Sequence, residues 1–128
     1  MAVLTKSNYL AGLQCSKLLW ISKNAKDRLP EPDEIQQQKF RDGDKVQEIA
    51  EKLYPNGIDL DPEKAGLSFK ENLEETKKHI NSEERRPIFE AGFLVPFDKE
   101  KSPKDKLFSR ADILVPVLEY NEAGKGEL

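Results

Sequence analysis

The chain has 128 residues, with 21 lysine and arginine residues against 24 aspartate and glutamate residues, so its formal net charge is −3. This length predicts a single domain, and no stretch approaches the roughly 18 apolar residues of a membrane-spanning helix, which excludes that class. The single cysteine excludes an internal disulfide and favours a reducing cytoplasm, and one cysteine with one histidine excludes a self-contained zinc site of the usual four-ligand kind.

The N-terminal third of the sequence predicts two short helices. Thr5 or Ser7 can cap the first, over residues 8–12, and a second apolar cluster follows at residues 15–21. Residues 24–32 are predicted to form a polar linker, and Pro30 and Pro32 break helical structure there. The apolar residues expected to form core contacts are Leu10, Leu13, Leu18 and Ile21.

Two further helices are predicted in the middle of the chain. The first covers residues 33–54, because apolar residues recur there at the spacing of one buried face, at Val46, Ile49, Ala50 and Leu53. The turn residues at 55–57 end it. The next helix begins at Ser68, which has capping-box spacing to Glu71. Its apolar stripe is Phe69, Leu73, Thr76 and Ile80.

After residue 86 the apolar residues alternate as they do in strands. One strand is predicted over residues 88–97 and another over 107–115, with a charged loop at 98–106. A continuation of the edge strand is predicted at 117–120 and a turn at 121–126. The sheet therefore looks unfinished, and its exposed edge strand favours dimerisation. The predicted fold class is therefore α/β, with N-terminal helices leading into an antiparallel hairpin.

Carboxylates interrupt both predicted strands, at Glu90 and Asp112. A buried carboxylate is costly unless a cation or hydrogen bonds satisfy it. Asp112 is therefore either a surface residue of a half-exposed sheet or a ligand of a hard metal ion. Arg110 lies on the same face and is a possible partner of Asp112. For Glu90 a structural role is favoured.

Three other features have both a functional and a structural interpretation. Cys15 lies in an apolar stretch, where a small core residue is commoner than a ligand. His79 lies near a helix end, where a surface or capping role is favoured. The basic N-terminal segment is either a phosphate-binding face or a solvated helix surface, and it comprises Lys6, Lys17, Lys23, Lys26 and Arg28.

The order of four segments resembles a nuclease family. The segments are LTKSNYLAGLQCSKLLW, KFRDGDKVQEIAEKLYP, PIFEAGF and SRADIL, and together they extend over residues 4–114. They are similar to the N-terminal half of RecB-like proteins of the PD-(D/E)XK nuclease superfamily, in an uncharacterised bacterial branch related to the CRISPR-associated RecB-like exonucleases. The resemblance implies a restriction-endonuclease-like sheet and DNA cleavage with Mg²⁺ or Mn²⁺.

The resemblance also implies roles for matched positions. Asp112 falls on the first metal-binding aspartate and is the candidate catalytic residue. Gln47 stands where many relatives have a histidine, four residues after Gly43, and amide oxygen is a poorer ligand than imidazole. The further candidate metal ligands are Gln47, Glu48, Glu51 and Glu90, and which helix acid approaches the metal is left open. The candidate nucleic-acid contacts are Lys17, Lys23 and Arg110.

Two parts of the family pattern are missing from these 128 residues. The Glu-x-Lys that follows the metal-binding aspartate in the family does not occur after Asp112. Cys15 matches the first of four cysteines that hold a [4Fe–4S] cluster in relatives, and one thiolate cannot hold such a cluster. The chain is therefore expected to be the N-terminal part of a longer nuclease and to be inactive, or nearly so, by itself.

Two interpretations from other classes stay open. One is a non-catalytic nucleic-acid-binding or protein-interaction module on a degenerate nuclease fold, which the glutamine at position 47 and the missing Glu-x-Lys favour. The other is a structural helical domain with a small hairpin, in which Asp112 and Glu90 are surface residues. The sequence does not distinguish DNA from RNA as the nucleic acid.

Overall fold

The computed structural model describes residues 2–117, together with the backbone of residues 119–120 and 126–127. The helices of this part are α1 (Lys6–Gln14), α2 (Ser16–Asn24), α3 (Glu34–Glu51), α4 (Pro62–Ala65) and α5 (Phe69–Ile80), with a 3₁₀ turn at Lys26–Arg28. The strands are β1 (Val3–Thr5), β2 (Ile58–Asp59), β3 (Ile88–Asp98), β4 (Ser102–Leu114), β5 (Glu119–Tyr120) and β6 (Gly126–Glu127). Among the described helices, none has the length and apolar character needed to span a membrane.

Four of the strands form a mixed sheet in the order β1-β4-β3-β2. The short outer strands are parallel to their neighbours: β1 pairs with β4 so that Leu4 lies opposite Leu107, and β2 pairs with β3 so that Ile58 lies opposite Ile88. Only residues 99–101 connect β3 to β4, which is too short for a parallel crossover, so these strands form the predicted antiparallel hairpin. Helices with a mixed sheet confirm the α/β fold class.

Several strand predictions need correction. A strand, β1, precedes the first helix, and neither β2 nor the short α4 was predicted. The loop predicted over residues 98–106 is wrong, because β4 already begins at Ser102. The first residues of β4 are mostly polar, so hydrophobic alternation does not detect them, although the strand continues into the residues that pair with β1, from Lys106 to Phe108. β5 pairs with β6 in a separate two-stranded sheet, and residues 118 and 121–125 of the predicted edge and turn lie outside the described residues.

The chain divides into two compact units, each built from two segments of sequence. The first comprises Met1–Val46 with Leu94–Ser109, and the second comprises Gln47–Phe93 with Arg110–Leu128. Residues of α3, β3 and β4 belong to both units.

In the first unit, α1 and α2 pack closely at Gly12. Thr5 caps α1 by accepting a hydrogen bond from the Asn8 amide, as predicted. A Cβ atom at Gly12 would lie 3.0 Å from Leu19 Cδ2, so glycine permits this approach of the two helices. Leu10 and Leu13, by contrast, are exposed, so their prediction as core residues is wrong.

The apolar face of α3 is also exposed. Val46, Ile49 and Leu53 were predicted to be buried, yet between 64 and 74% of each residue's surface is accessible. The helix itself was predicted correctly, with ends three residues or fewer from those observed. Helical periodicity shows that one face is apolar, but it does not show that another part of the described chain covers that face.

The core of the second unit forms around β3. Leu60, Ile88 and Ala91 are buried there, and partly buried apolar residues pack against them from β2, α5 and β4. Gly57 lies directly beneath the Phe89 ring, and a Cβ atom at that position would overlap with the ring. This core fixes the segment of β3 that carries Glu90.

The predicted capping box at the start of α5 is confirmed. The Ser68 hydroxyl accepts a hydrogen bond from the Glu71 amide at 3.3 Å, and the Glu71 carboxylate accepts one from the Ser68 amide at 2.8 Å. These bonds from Ser68 hold the pKa of Glu71 below its ordinary value of 4.5. Because the folded-state pKa is lowered, the stability that Glu71 contributes is fully present above pH 4.5 and is lost as the pH falls through the folded-state pKa.

Removal of this cap is expected to destabilise the second unit measurably. Ser68→Ala should lower the free energy of unfolding by about 1 kcal/mol at pH 7, because the Glu71 amide loses its acceptor. Urea denaturation followed by circular dichroism measures this change. Ser109→Ala, at an exposed position of β4, is the matched control and should change stability by less than about 0.5 kcal/mol. Equal effects of the two variants would contradict a capping role for Ser68.

Candidate functional site

Glu90 is the centre of a polar cluster in the second unit. It lies on β3 with only 8% of its surface accessible, and its φ is 57°. This is the one positive φ recorded for a non-glycine residue in the described chain. A side chain is strained in that region, and such residues persist only where surrounding contacts hold them.

Hydrogen bonds at Glu90 and just after it hold this backbone conformation. The Glu90 carbonyl oxygen accepts a hydrogen bond from Asn72 Nδ2 at 2.9 Å, and the Gly92 amide donates to Thr76 Oγ1 at 3.0 Å. Asn72 and Thr76 lie one turn apart on α5, and both are almost completely buried. The helix therefore fixes the direction in which β3 presents the Glu90 side chain.

Both carboxylate oxygens of Glu90 have partners. Gln47 Nε2, from the last turn of α3, donates to Glu90 Oε1 at 2.8 Å. Arg110 Nε, from β4, lies 3.1 Å from Glu90 Oε2. An almost buried carboxylate paired in this way avoids most of the cost of an isolated buried charge. Arg110, which the sequence offered as a possible partner of Asp112, bonds to Glu90 through its guanidinium group.

A second carboxylate, Glu51, extends the cluster. The Gln47 amide also donates to Glu51 Oε1 at 3.1 Å, and Lys64 Nζ lies 3.5 Å from Glu51 Oε2 and 3.9 Å from Asp59 Oδ2. Partial desolvation opposes the charged form of Lys64, but the carboxylates of Glu51 and Asp59 outweigh it and raise the pKa of Lys64. Asp61 also acts on Lys64 electrostatically, so carboxylates outnumber the two cations, Lys64 and Arg110, in this cluster.

The structure brings together three of the five predicted metal ligands. Gln47, Glu51 and Glu90 are joined by hydrogen bonds. Glu48 lies outside the cluster, because it is exposed and pairs with Lys52 at 3.2 Å. Glu51, rather than Glu48, is therefore the acidic residue that α3 contributes to the cluster.

Asp112 is separate from this hydrogen-bond network. Its side chain is exposed, and it makes no hydrogen bond or ion pair with any residue of the described part of the chain. Ala111, between Arg110 and Asp112, packs against the core, so the two polar residues lie on the opposite face of β4. Asp112 thus lies two residues beyond Arg110 on the same face of β4, while Arg110 itself bonds to Glu90.

The remaining predicted site residues lie in the first unit. Cys15 is exposed between α1 and α2. Lys23 donates a hydrogen bond from Nζ to the Val3 carbonyl oxygen at 2.7 Å, which ties β1 to α2 and gives this lysine a structural role. Lys17 is exposed on α2.

The cluster supplies oxygen atoms of the type that bind a hard cation, but it does not bring enough of them together to form a metal site. Carboxylate and amide oxygens are the ligands that Mg²⁺ and Mn²⁺ prefer. Within residues 2–117, however, no group of three or more His, Cys, Asp or Glu side chains is placed to hold a metal ion. The single cysteine does not fit a [4Fe–4S] cluster, which needs four thiolates.

Sequence reasoning missed Asn72, Lys64 and Asp59. Asn72 offered one usable signal, because asparagine is unfavourable in a helix interior unless its side chain has a specific partner. Gly92, inside a strand, is a second signal of a close backbone approach.

No protein-family model matches the chain, and searches of curated proteins and of solved structures likewise find no match.

Proposed function

We propose that the chain is the N-terminal part of a cytoplasmic, metal-dependent nuclease that hydrolyses DNA phosphodiesters. The observation that supports it is the convergence of Gln47, Glu51 and Glu90, from the helix and strand that the family resemblance singles out, at a strained and nearly buried carboxylate. Strained backbone positions concentrate at functional sites. No other cluster of the described residues combines these features.

In this proposal the protein residues have distinct roles. Asp112 and Glu90 would bind Mg²⁺ or Mn²⁺, with Glu51 and the Gln47 side-chain oxygen in support. When bound, the cation supplies Lewis-acid stabilisation of the phosphate and lowers the pKa of a water molecule. Arg110 holds the Glu90 carboxylate in place. The 128 residues contain no Glu-x-Lys after Asp112, so the chain by itself is expected to cleave DNA hardly or not at all.

Manganese binding tests the proposal without requiring catalysis. At a Mn²⁺ concentration ten times the Kd, we expect a stabilisation of about 1.4 kcal/mol and a rise in Tm of about 4 °C. Asp112→Asn and Glu90→Gln should each abolish the Tm shift, because each removes a charged oxygen ligand. Differential scanning fluorimetry measures the shift, and water-proton relaxation confirms that Mn²⁺ is bound.

Glu48→Gln is the matched control, because it removes one carboxylate charge at an exposed position of α3 outside the cluster. It should leave the Mn²⁺ shift unchanged. A Tm shift that survives Asp112→Asn and Glu90→Gln, or one that Glu48→Gln removes equally, would contradict the assigned ligands.

A non-catalytic nucleic-acid-binding module is the second candidate. It is favoured by Arg110, which neutralises Glu90, and by the separation of Asp112 from the described hydrogen-bond network. The same titration distinguishes the two functions, because a binding module shows no Mn²⁺ shift. Its DNA affinity should instead fall with added salt and with Lys17→Gln.

A further inference from the structure

A cavity of about 300 Å³ lies in the second unit, away from the contacts that define the Glu90 cluster. The end of α5, the segment before β3, and the end of β4 form its walls. Apolar side chains make up most of the lining, among them Ile80, Phe93 and Leu114. Pockets for small molecules are typically apolar and of this size or larger, with a few polar groups that orient the ligand.

Two arginines give this apolar cavity a positive charge. Arg86 is held in position, because its Nε donates to the Asn56 carbonyl oxygen at 2.7 Å. Arg85 is exposed and makes no hydrogen bond or ion pair with any residue in the described part of the chain. The other titratable group of the lining, His79, is bonded to Glu75 at 3.3 Å. Among the described residues of the lining, none is acidic, so none of them neutralises the charge of the two guanidinium groups.

We propose that this cavity binds an amphipathic anion, whose carboxylate or phosphate group bonds to Arg85 and Arg86 and whose apolar body contacts Ile80, Phe93 and Leu114. A guanidinium presents paired N–H donors that match both oxyanions, and its charge strengthens these hydrogen bonds. The apolar lining favours a ligand with an apolar body, because burial of that body against the lining removes apolar surface from water. This site is independent of the proposed metal chemistry.

Calorimetric titration of the 128-residue chain tests the proposal with two pairs of probes. Octanoate is compared with 1-octanol, and phenyl phosphate with phenol, so that each pair differs in the charged group alone. We expect each anion that binds to do so at least tenfold more tightly than its neutral counterpart. The pair with the larger ratio of anion affinity to neutral affinity identifies the head group as carboxylate or phosphate, because the apolar body cancels within each pair.

Three variants locate the binding in this cavity. Arg85→Gln should weaken binding of the anion at least fivefold, and Val115→Asp, at an exposed position of the lining, should weaken it by charge repulsion. Arg41→Gln removes the same charge from an exposed position of α3 and should leave binding unchanged. Absence of saturable binding, equal affinity for the charged and neutral probes, or equal effects of Arg85→Gln and Arg41→Gln would overturn the proposal.

Discussion

Replacement of Asn72 by alanine is expected to lower the free energy of unfolding by about 3 kcal/mol. Asn72 Nδ2 donates to the carbonyl oxygens of Leu60 at 2.8 Å and of Glu90 at 2.9 Å, and the asparagine is 1% exposed. The alanine variant leaves both acceptors buried without these donors, at about 1–3 kcal/mol for each unsatisfied group. The loss is a large share of the 5–15 kcal/mol that typically stabilises a domain.

Urea denaturation at pH 7 measures this loss, with Asn81→Ala as the matched control. Asn81 also donates from Nδ2 to a carbonyl oxygen, that of Lys77 at 2.8 Å, but it is exposed. Water replaces that hydrogen bond, so the control should cost less than about 1 kcal/mol. A difference of under 1 kcal/mol between the two variants would contradict the bridging role of Asn72.

Gly92→Ala is expected to lower the free energy of unfolding by about 2 kcal/mol. A Cβ atom at position 92 would overlap with Asn72 Oδ1, which is the single buried side-chain polar atom without a hydrogen-bond partner among the described residues. Insertion of a methyl group into a closely packed region typically costs 1–3 kcal/mol. The same denaturation assay measures the effect.

A double-mutant cycle identifies the cause of this destabilisation. Alanine at position 72 has no Oδ1, so the Asn72→Ala/Gly92→Ala double variant should be about as stable as Asn72→Ala alone. Gly43→Ala is the control, because a Cβ atom there meets nothing within 4 Å in the helix α3, and it should stabilise the chain by about 0.5–1 kcal/mol. Additive losses in the cycle would show that Asn72 is not what excludes a side chain at position 92.

These two positions connect the stability of the second unit to the candidate site. Asn72 and Thr76 bond to the backbone immediately at and after Glu90, whose φ is positive. The Glu90 side chain reaches Gln47 and Arg110 from that backbone conformation. A change at Asn72 is therefore expected to disturb the cluster as well as the fold.

The sequence determined those features that depend on residues close together in the chain. The Ser68–Glu71 capping box joins residues three apart, and the alternation after residue 86 reflects the two faces of one strand. The α/β class and the positions of α3, α5 and β3 follow from such local patterns. The resemblance also singled out Gln47, Glu51 and Glu90, although it could not choose between Glu48 and Glu51.

The tertiary structure alone decided which of these residues meet. Gln47 and Glu90 lie 43 residues apart in sequence, and their contact depends on how the backbone places α3 beside β3. The same holds for Arg110, which bonds to Glu90 rather than to Asp112 on its own strand. Periodicity indicates which face of an element is apolar or polar, but the partner of that face is set by the path of the whole chain, as the exposed face of α3 shows.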